Sequence, residues 1–282
     1  IDLTDSVTVK ARTLENGEWS ALAEANFIVG TPADSSNLVI SEIFYNPNGP
    51  FELLEFIELR NISSGEIDLT SVTFGAGIDF DFAQNTRLGA GEHLLVVKDL
   101  IAFETEYGAG LSIAGEFQNE TSLANSGETF TLLAADGSII DSFRYEQDLP
   151  WPTAADGAGY SLVLIKPMSN PDSALASSWR SSAALGGNPG ATDSDGYSGG
   201  GLLEYAGASV SVFYDAGTVI LGYDHEIAAD DADLTLQWSE DLVMWSPLGI
   251  TFDLSKRVSS GNGLERVEFI STPGVFDGST RV

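Results

Sequence analysis

The chain has 282 residues, with 12 Lys and Arg against 42 Asp and Glu, for a net charge of −30. A field of that sign repels phosphate backbones and anionic headgroups, which excludes nucleic acid as an expected partner. No apolar run approaches the roughly 18–20 residues of a membrane-spanning helix, so membrane insertion is not expected either. The lack of Cys excludes disulfides, thiolate metal sites and cysteine nucleophiles. The length leaves room for more than one domain. Ile1 is preceded by no Met, basic n-region or apolar h-region, so the chain is expected to be a processed or excised piece of something longer, and the missing signal peptide carries no weight.

In chain order, residues 1–30 read as a terminal β-hairpin of a truncated sandwich. Val7 to Arg12 alternates like a strand, Glu15-Asn16-Gly17-Glu18 is a turn, and Ala25 to Val29 is a second strand. The phrases Val-Lys-Ala-Arg, Asn-Gly-Glu-Trp-Ser and Phe-Ile-Val are similar to the last strands of fibronectin-like sandwiches in secreted bacterial proteins. Such a hairpin leaves an apolar face that must pack on a neighbour or stay mobile. Residues 30–37, with Thr-Pro and Asp-Ser-Ser, read as a linker.

The main unit is expected over 36–192. Strands are predicted at 38–45, 55–61, 66–73, 92–98, 128–133, 138–145 and 160–165. One helix is predicted over 100–107, with Asp99 as N-cap and Gly108 as terminator. Asp136-Gly137 is the hairpin signal between two of the strands, and Pro150-Trp151-Pro152 forces a bend that seats Trp151 on a core edge. The order Glu42, Asn46-Pro47, Glu55-Phe56-Ile57-Glu58-Leu59, Asn61, Leu69, Asp141, Tyr145, Trp151-Pro152, Gly157, Ser161-Leu162, Trp179 and Asn188-Pro189-Gly190 resembles the lamin-tail domain. Its one departure is Gly-Asn-Pro-Gly where that family usually has Gly-Thr-Pro-Gly. The resemblance implies an all-β fold with an immunoglobulin-like β-sandwich, and interaction rather than turnover.

Beyond Thr192 the character shifts, with no Lys or Arg from Ser181 to Ser255. Residues 193–208 read as an acidic Gly/Ser linker. Alternating runs at 209–214, 218–223, 234–238 and 264–270 predict a smaller C-terminal β-domain over 209–282. The Ser239 to Trp245 stretch is similar to a Ser-x-Asp-Leu-x-x-Trp signature of C-terminal β-domains in secreted bacterial proteins.

Acidity suits either solubility or cation binding. Asp193, Asp195 and Glu204 occupy the first, third and twelfth positions of a calcium-type loop. However, Tyr197, Ser198 and Gly201 depart from it at the fifth, sixth and ninth. A solvated linker is the expectation there, with calcium at Asp193, Asp195 and Glu204 as the alternative. Glu55 and Glu58 lie three apart in a strand and so point to opposite faces, which suits structural carboxylates better than an acid/base pair. His93 and His225 stand in no catalytic context, and no Gly-x-Ser-x-Gly elbow is present. No catalytic residues and no certain cofactor are expected. Asn61-Ile62-Ser63 and Asn119-Glu120-Thr121 match glycosylation sequons by chance. Trp19, Trp179, Trp238 and Trp245 are expected in cores rather than on a sugar-stacking platform.

The reading that follows is a non-catalytic binding or structural spacer module of a secreted or cell-surface bacterial protein, whose partner is a protein or surface polymer. The alternatives are a calcium-dependent carbohydrate-binding module and an accessory domain of a secreted enzyme.

Overall fold

A computed structural model describes residues 3–48, 52–194, 210–215, 217–232, 243–244 and 252–273. The first strands are β1 (Val7–Ala11), β2 (Leu14–Glu15), β3 (Glu18–Trp19) and β4 (Ala23–Phe27). The central unit follows with β5 (Leu38–Phe44), β6 (Phe56–Asn61), β7 (Ile67–Asp68), β8 (Thr73–Ala76), β9 (Arg87–Leu88) and β10 (His93–Val97). It continues through helix α1 (Leu100–Tyr107), β11 (Ile113–Glu116), β12 (Glu128–Leu133), β13 (Ile139–Tyr145), β14 (Leu162–Leu164) and β15 (Trp179–Ser181). The C-terminal strands are β16 (Ser211–Asp215), β17 (Thr218–Glu226), β18 (Phe252–Gly261) and β19 (Leu264–Ser271).

Two sheets of the central unit face each other. One has the order β11-β10-β6-β5-β14-β15, the other β13-β12-β8. Alternation in β6 divides its residues between two environments: Ile57 and Leu59 enter the main core, while Phe56 and Glu58 point outward. Against Ile57 and Leu59 the smaller sheet sets Phe74, Phe130, Leu132 and Phe143. The bend at Trp151 and the edge strand at Trp179 close the end of that core. Their rings lie 6.2 Å apart, and the Trp179 indole N–H donates to the Ser173 carbonyl at 2.9 Å.

On the outer face of the larger sheet, α1 covers Phe44, Phe56, Leu95 and Val97 with Phe103, whose ring meets Phe56 edge-on at 5.8 Å. The helix starts where Asp99 accepts the Ala102 amide at 2.8 Å, and it ends at Gly108 with φ 85°. Both boundaries are those the sequence predicts.

Other expectations change. The predicted strand over 66–73 is cut after Asp68, because the Asp68 carboxylate accepts the Thr70 amide (2.8 Å) and hydroxyl (2.6 Å) and Ser71 turns left-handed at φ 60°. The segment 30–37, read as a linker, is stitched to β7 by Asp68 N–H to Thr31 O and Ala33 N–H to Asp68 O. Trp19, expected in a core, is 54% exposed, with the Arg12 guanidinium 4.3 Å above its ring. Strand β18 was not predicted: its alternation is broken by Lys256-Arg257 and three Ser residues. Residues 234–238, Trp238, Trp245 and most of the Ser239 to Trp245 stretch lie outside the described residues.

The C-terminal sheet, in the order β16-β17-β19-β18, packs Tyr223 and Val267 with Leu254 and Phe269. It docks on the central unit: the Arg257 guanidinium donates to the Trp179 carbonyl at 3.0 Å, and the Thr153 hydroxyl donates to the Arg257 carbonyl at 2.5 Å.

Candidate functional site

The outer face of the larger sheet that α1 leaves uncovered is polar. Cross-strand pairing places Leu95, Glu58, Glu42, Val163 and Arg180 in one row over β10, β6, β5, β14 and β15. Two carboxylates thus lie directly opposite each other, both buried. Such a pair is repulsive unless its charge is reduced and its oxygens are bonded.

The exit segment after β15 does the bonding. Asn188 N–H donates to Glu42 Oε1 at 3.0 Å, where the Ser161 hydroxyl also donates at 2.5 Å. Gly190 N–H donates to Glu58 Oε2 at 2.6 Å, and the Ser41 hydroxyl reaches Glu58 Oε1 at 2.7 Å. His93 Nδ1 lies 2.7 Å from the same Oε1. Burial, and then the neighbouring Glu58, push the Glu42 carboxyl well above the usual carboxylate range. The Gly-Asn-Pro-Gly phrase now has a physical reason. Asn188 and Gly190 supply the two donors, and Pro189 between them has none to supply. Gly187 has φ 78° and lies so close that a Cβ there would overlap the Glu42 carboxylate. The Tyr107 hydroxyl pins the start of the segment by donating to the Gly186 carbonyl at 2.6 Å.

Glu55 and Glu58 do not share a site, as their spacing predicts. Glu55 accepts from Lys98 Nζ at 2.7 Å and from the Leu123 amide at 2.8 Å. Burial raises its carboxyl and Lys98 counters that. His225 lies 3.2 Å from Glu265. The Asn61 amide of the first sequon is buried and donates to the Gly65, Leu88 and Gly89 carbonyls at 2.8, 2.9 and 3.0 Å, so it offers no acceptor for a glycan.

Of the calcium-type residues, Asp193 is described, whereas Asp195 and Glu204 lie outside the described residues. Asp193 Oδ2 accepts from Arg180 Nη1 at 2.6 Å and from the Ala183 amide at 2.9 Å. The same guanidinium, 2% exposed, reaches Asp230 of the C-terminal unit at 2.6 and 3.1 Å and the Asp193 carbonyl at 2.8 Å. Burial alone would lower the Arg180 pKa, but Asp230 and Asp193 outweigh it and hold the group above its ordinary value. No group of three or more His, Asp and Glu side chains among the described residues is placed to hold a metal ion. The recess beside Ser41, His93 and Thr192 has about 20 Å³, far below the few hundred Å³ of a small-molecule site.

Sequence reasoning gave no role to Arg180, Asp230 or Arg257, and carried Ser161 only as a position of the lamin-tail pattern. Arg180 did leave a signal, as the last cation before the cation-free acidic run from 181 to 255. Its partner fifty residues on left none.

No curated protein matches the chain. Residues 31–147 match the family model described as Lamin Tail Domain, which spans the strands from β5 to β13, and that segment of the chain is a lamin tail domain with an immunoglobulin-like β-sandwich fold.

Proposed function

We propose that this chain is a non-catalytic structural and binding module of a secreted or cell-surface protein, in which the lamin tail domain holds the C-terminal β-unit at a fixed orientation. The reading rests on Arg180. This buried guanidinium is bonded to one carboxylate at the exit of the central unit and to one from its neighbour, so separating the units would break its charge-assisted bonds to Asp230. Arg257 adds a second tie by bonding Glu265 on its own sheet and the Trp179 carbonyl across the joint. The acid and imidazole groups of the central unit support a non-catalytic role, since Glu42, Glu55, Glu58 and His93 are all bonded within the fold. The −30 charge favours a protein or surface polymer over nucleic acid as partner.

The chain has no Cys, so spin labels can be placed without background. Labels at exposed Ile139→Cys and Val258→Cys should give one narrow distance distribution, which Arg180→Ala broadens. A broad distribution in the parent chain would sink the spacer reading. The calcium-dependent carbohydrate-binding alternative is tested by melting in millimolar Ca²⁺ and in chelator. A calcium-induced rise that Asp195→Ala abolishes would put that alternative first. The expected outcome is no change, because Asp193 Oδ2 already has a cation.

A further inference from the structure

The β5–β6 pairing sets Glu42 opposite Glu58, and the two residues are 2% and 1% exposed. Their donors are unequal. Glu58 has the Ser41 hydroxyl, His93 Nδ1 and the Gly190 amide within bonding distance, with the Arg60 guanidinium acting on it through space. Glu42 has the Ser161 hydroxyl and the Asn188 amide. The charged and titratable groups around Glu42 are Glu58 and Arg60 on β6, His93 on β10, Tyr107 on α1, Arg180 on β15, Asp193 on the exit segment and Asp230 on the C-terminal unit. No cation among them is bonded to Glu42: His93 is bonded to Glu58, and Arg180 is taken up by Asp193 and Asp230. A buried pair so arranged holds one negative charge, on the better-bonded Glu58, and one proton, on Glu42.

Building on the spacer reading, we propose that this pair is a pH-operated latch: while Glu42 keeps its proton the exit segment lies closed over both carboxylates, and loss of that proton lifts the segment and loosens the joint between the two units. Below the pair, β5 and β6 are held by their neighbours β14 and β10 and by the main core, so the strands do not part. Above the pair lies the segment, tied at one end by the Gly186 amide to the Gly159 carbonyl at 2.7 Å and at the other by Asp193 to Arg180. Between those ends, the Asn188 and Gly190 amides bond it to the sheet through the carboxylates themselves. Two charges facing each other out of water are relieved by hydration, and lifting this segment is what admits water. The movement reaches the joint because the segment carries Asp193, which makes two of the Arg180 bonds, and Ser194, whose hydroxyl donates to the Ala228 carbonyl of the C-terminal unit at 3.1 Å. With its carboxyl raised by burial and by Glu58, Glu42 favours the closed segment at low pH, and that preference is lost as pH rises through the raised value.

The test follows two readouts on the full chain from about pH 5 to about pH 9. One is the distance distribution between spin labels at Ile139→Cys and Val258→Cys; the other is hydrogen-exchange protection of the Asn188 and Gly190 amides by NMR. The distribution is expected to be narrow at the acid end and to broaden as pH rises, with both amides losing protection at the same midpoint. Glu42→Gln keeps an acceptor for Asn188 and carries no charge, so it should hold the distribution narrow and both amides protected over the whole range. His93→Asn checks the neighbouring imidazole and should leave the transition in place. A parent chain that stays narrow and protected at every pH would overturn the latch and leave the spacer reading standing. A distribution already broad at about pH 5 would sink the spacer reading and the latch with it. Broadening that persists in Glu42→Gln, or that His93→Asn removes, would overturn the latch as well.

Discussion

At the scale of single residues, Glu42 and Glu265 give opposite pH dependences. Glu42 has its carboxyl raised by burial and by Glu58. Its contribution to stability is therefore full below the unfolded carboxylate pKa and is lost as pH rises through the raised folded value. Glu42→Gln keeps an oxygen for the Ser161 and Asn188 donors and removes the buried charge. The variant should melt no lower than the parent at neutral pH and should lose the decline that sets in for the parent as pH rises above the ordinary carboxylate range, as melting temperature against pH will show. For Glu265, burial pushes the carboxyl up, but the His225 hydrogen bond and the Arg257 guanidinium more than offset it, and its pKa lies below the usual value. Its contribution is present above the unfolded pKa and is lost as pH falls through the lowered folded one. Glu265→Gln should flatten the acid limb of the same curve and leave the decline due to Glu42 in place.

At the scale of elements, the exit segment lies over the outer face of the larger sheet beside α1, and its glycines decide whether it can. Gly187 and Gly190 have φ 78° and 83°, and Cβ atoms there would press on Glu42 and Leu111 respectively. Gly187→Ala should cost about 2 kcal/mol or more in chemical denaturation, from left-handed strain together with displacement of the Asn188 amide from Glu42. An effect within a few tenths of a kcal/mol would show that the segment is not held as described. Adding Glu42→Ala to Gly187→Ala should cost less than the sum of the two single changes, because both act on one network.

At the scale of the whole molecule, the joint between the two units rests on a cation placed by the chain itself. Removing Arg180 alone leaves Asp193 and Asp230 buried with their charges uncompensated, which typically costs about 3–5 kcal/mol. Arg180→Met is expected to show that loss as a separate, earlier melting of the C-terminal unit. Changing Asp193 and Asp230 to Asn in the same chain should recover much of it, since the unpaired charges go with the guanidinium. A single cooperative transition at the parent temperature in Arg180→Met would show that the units are not coupled through this residue.

Much of this architecture could be read from local pattern. The helix over 100–107 was legible because an N-cap, its apolar residues and a terminating Gly fall within ten residues of one another. The β12–β13 hairpin was legible because Asp136-Gly137 encodes its own turn. The separation of Glu55 and Glu58 onto opposite faces follows from the two-residue period of a strand. Where the chain departs from expectation, the deciding contact is distant in sequence. Asp68 ends a promising strand and also holds Ser6, 62 residues away. Glu42 meets Asn188 across 146 residues, and Arg180 meets Asp230 across 50. Spacing along the chain was enough to read the β class, the lamin-tail pattern of the central segment and the strand faces. Which carboxylates meet and what neutralises Asp193 were not legible there, because each depends on which strands the fold sets side by side.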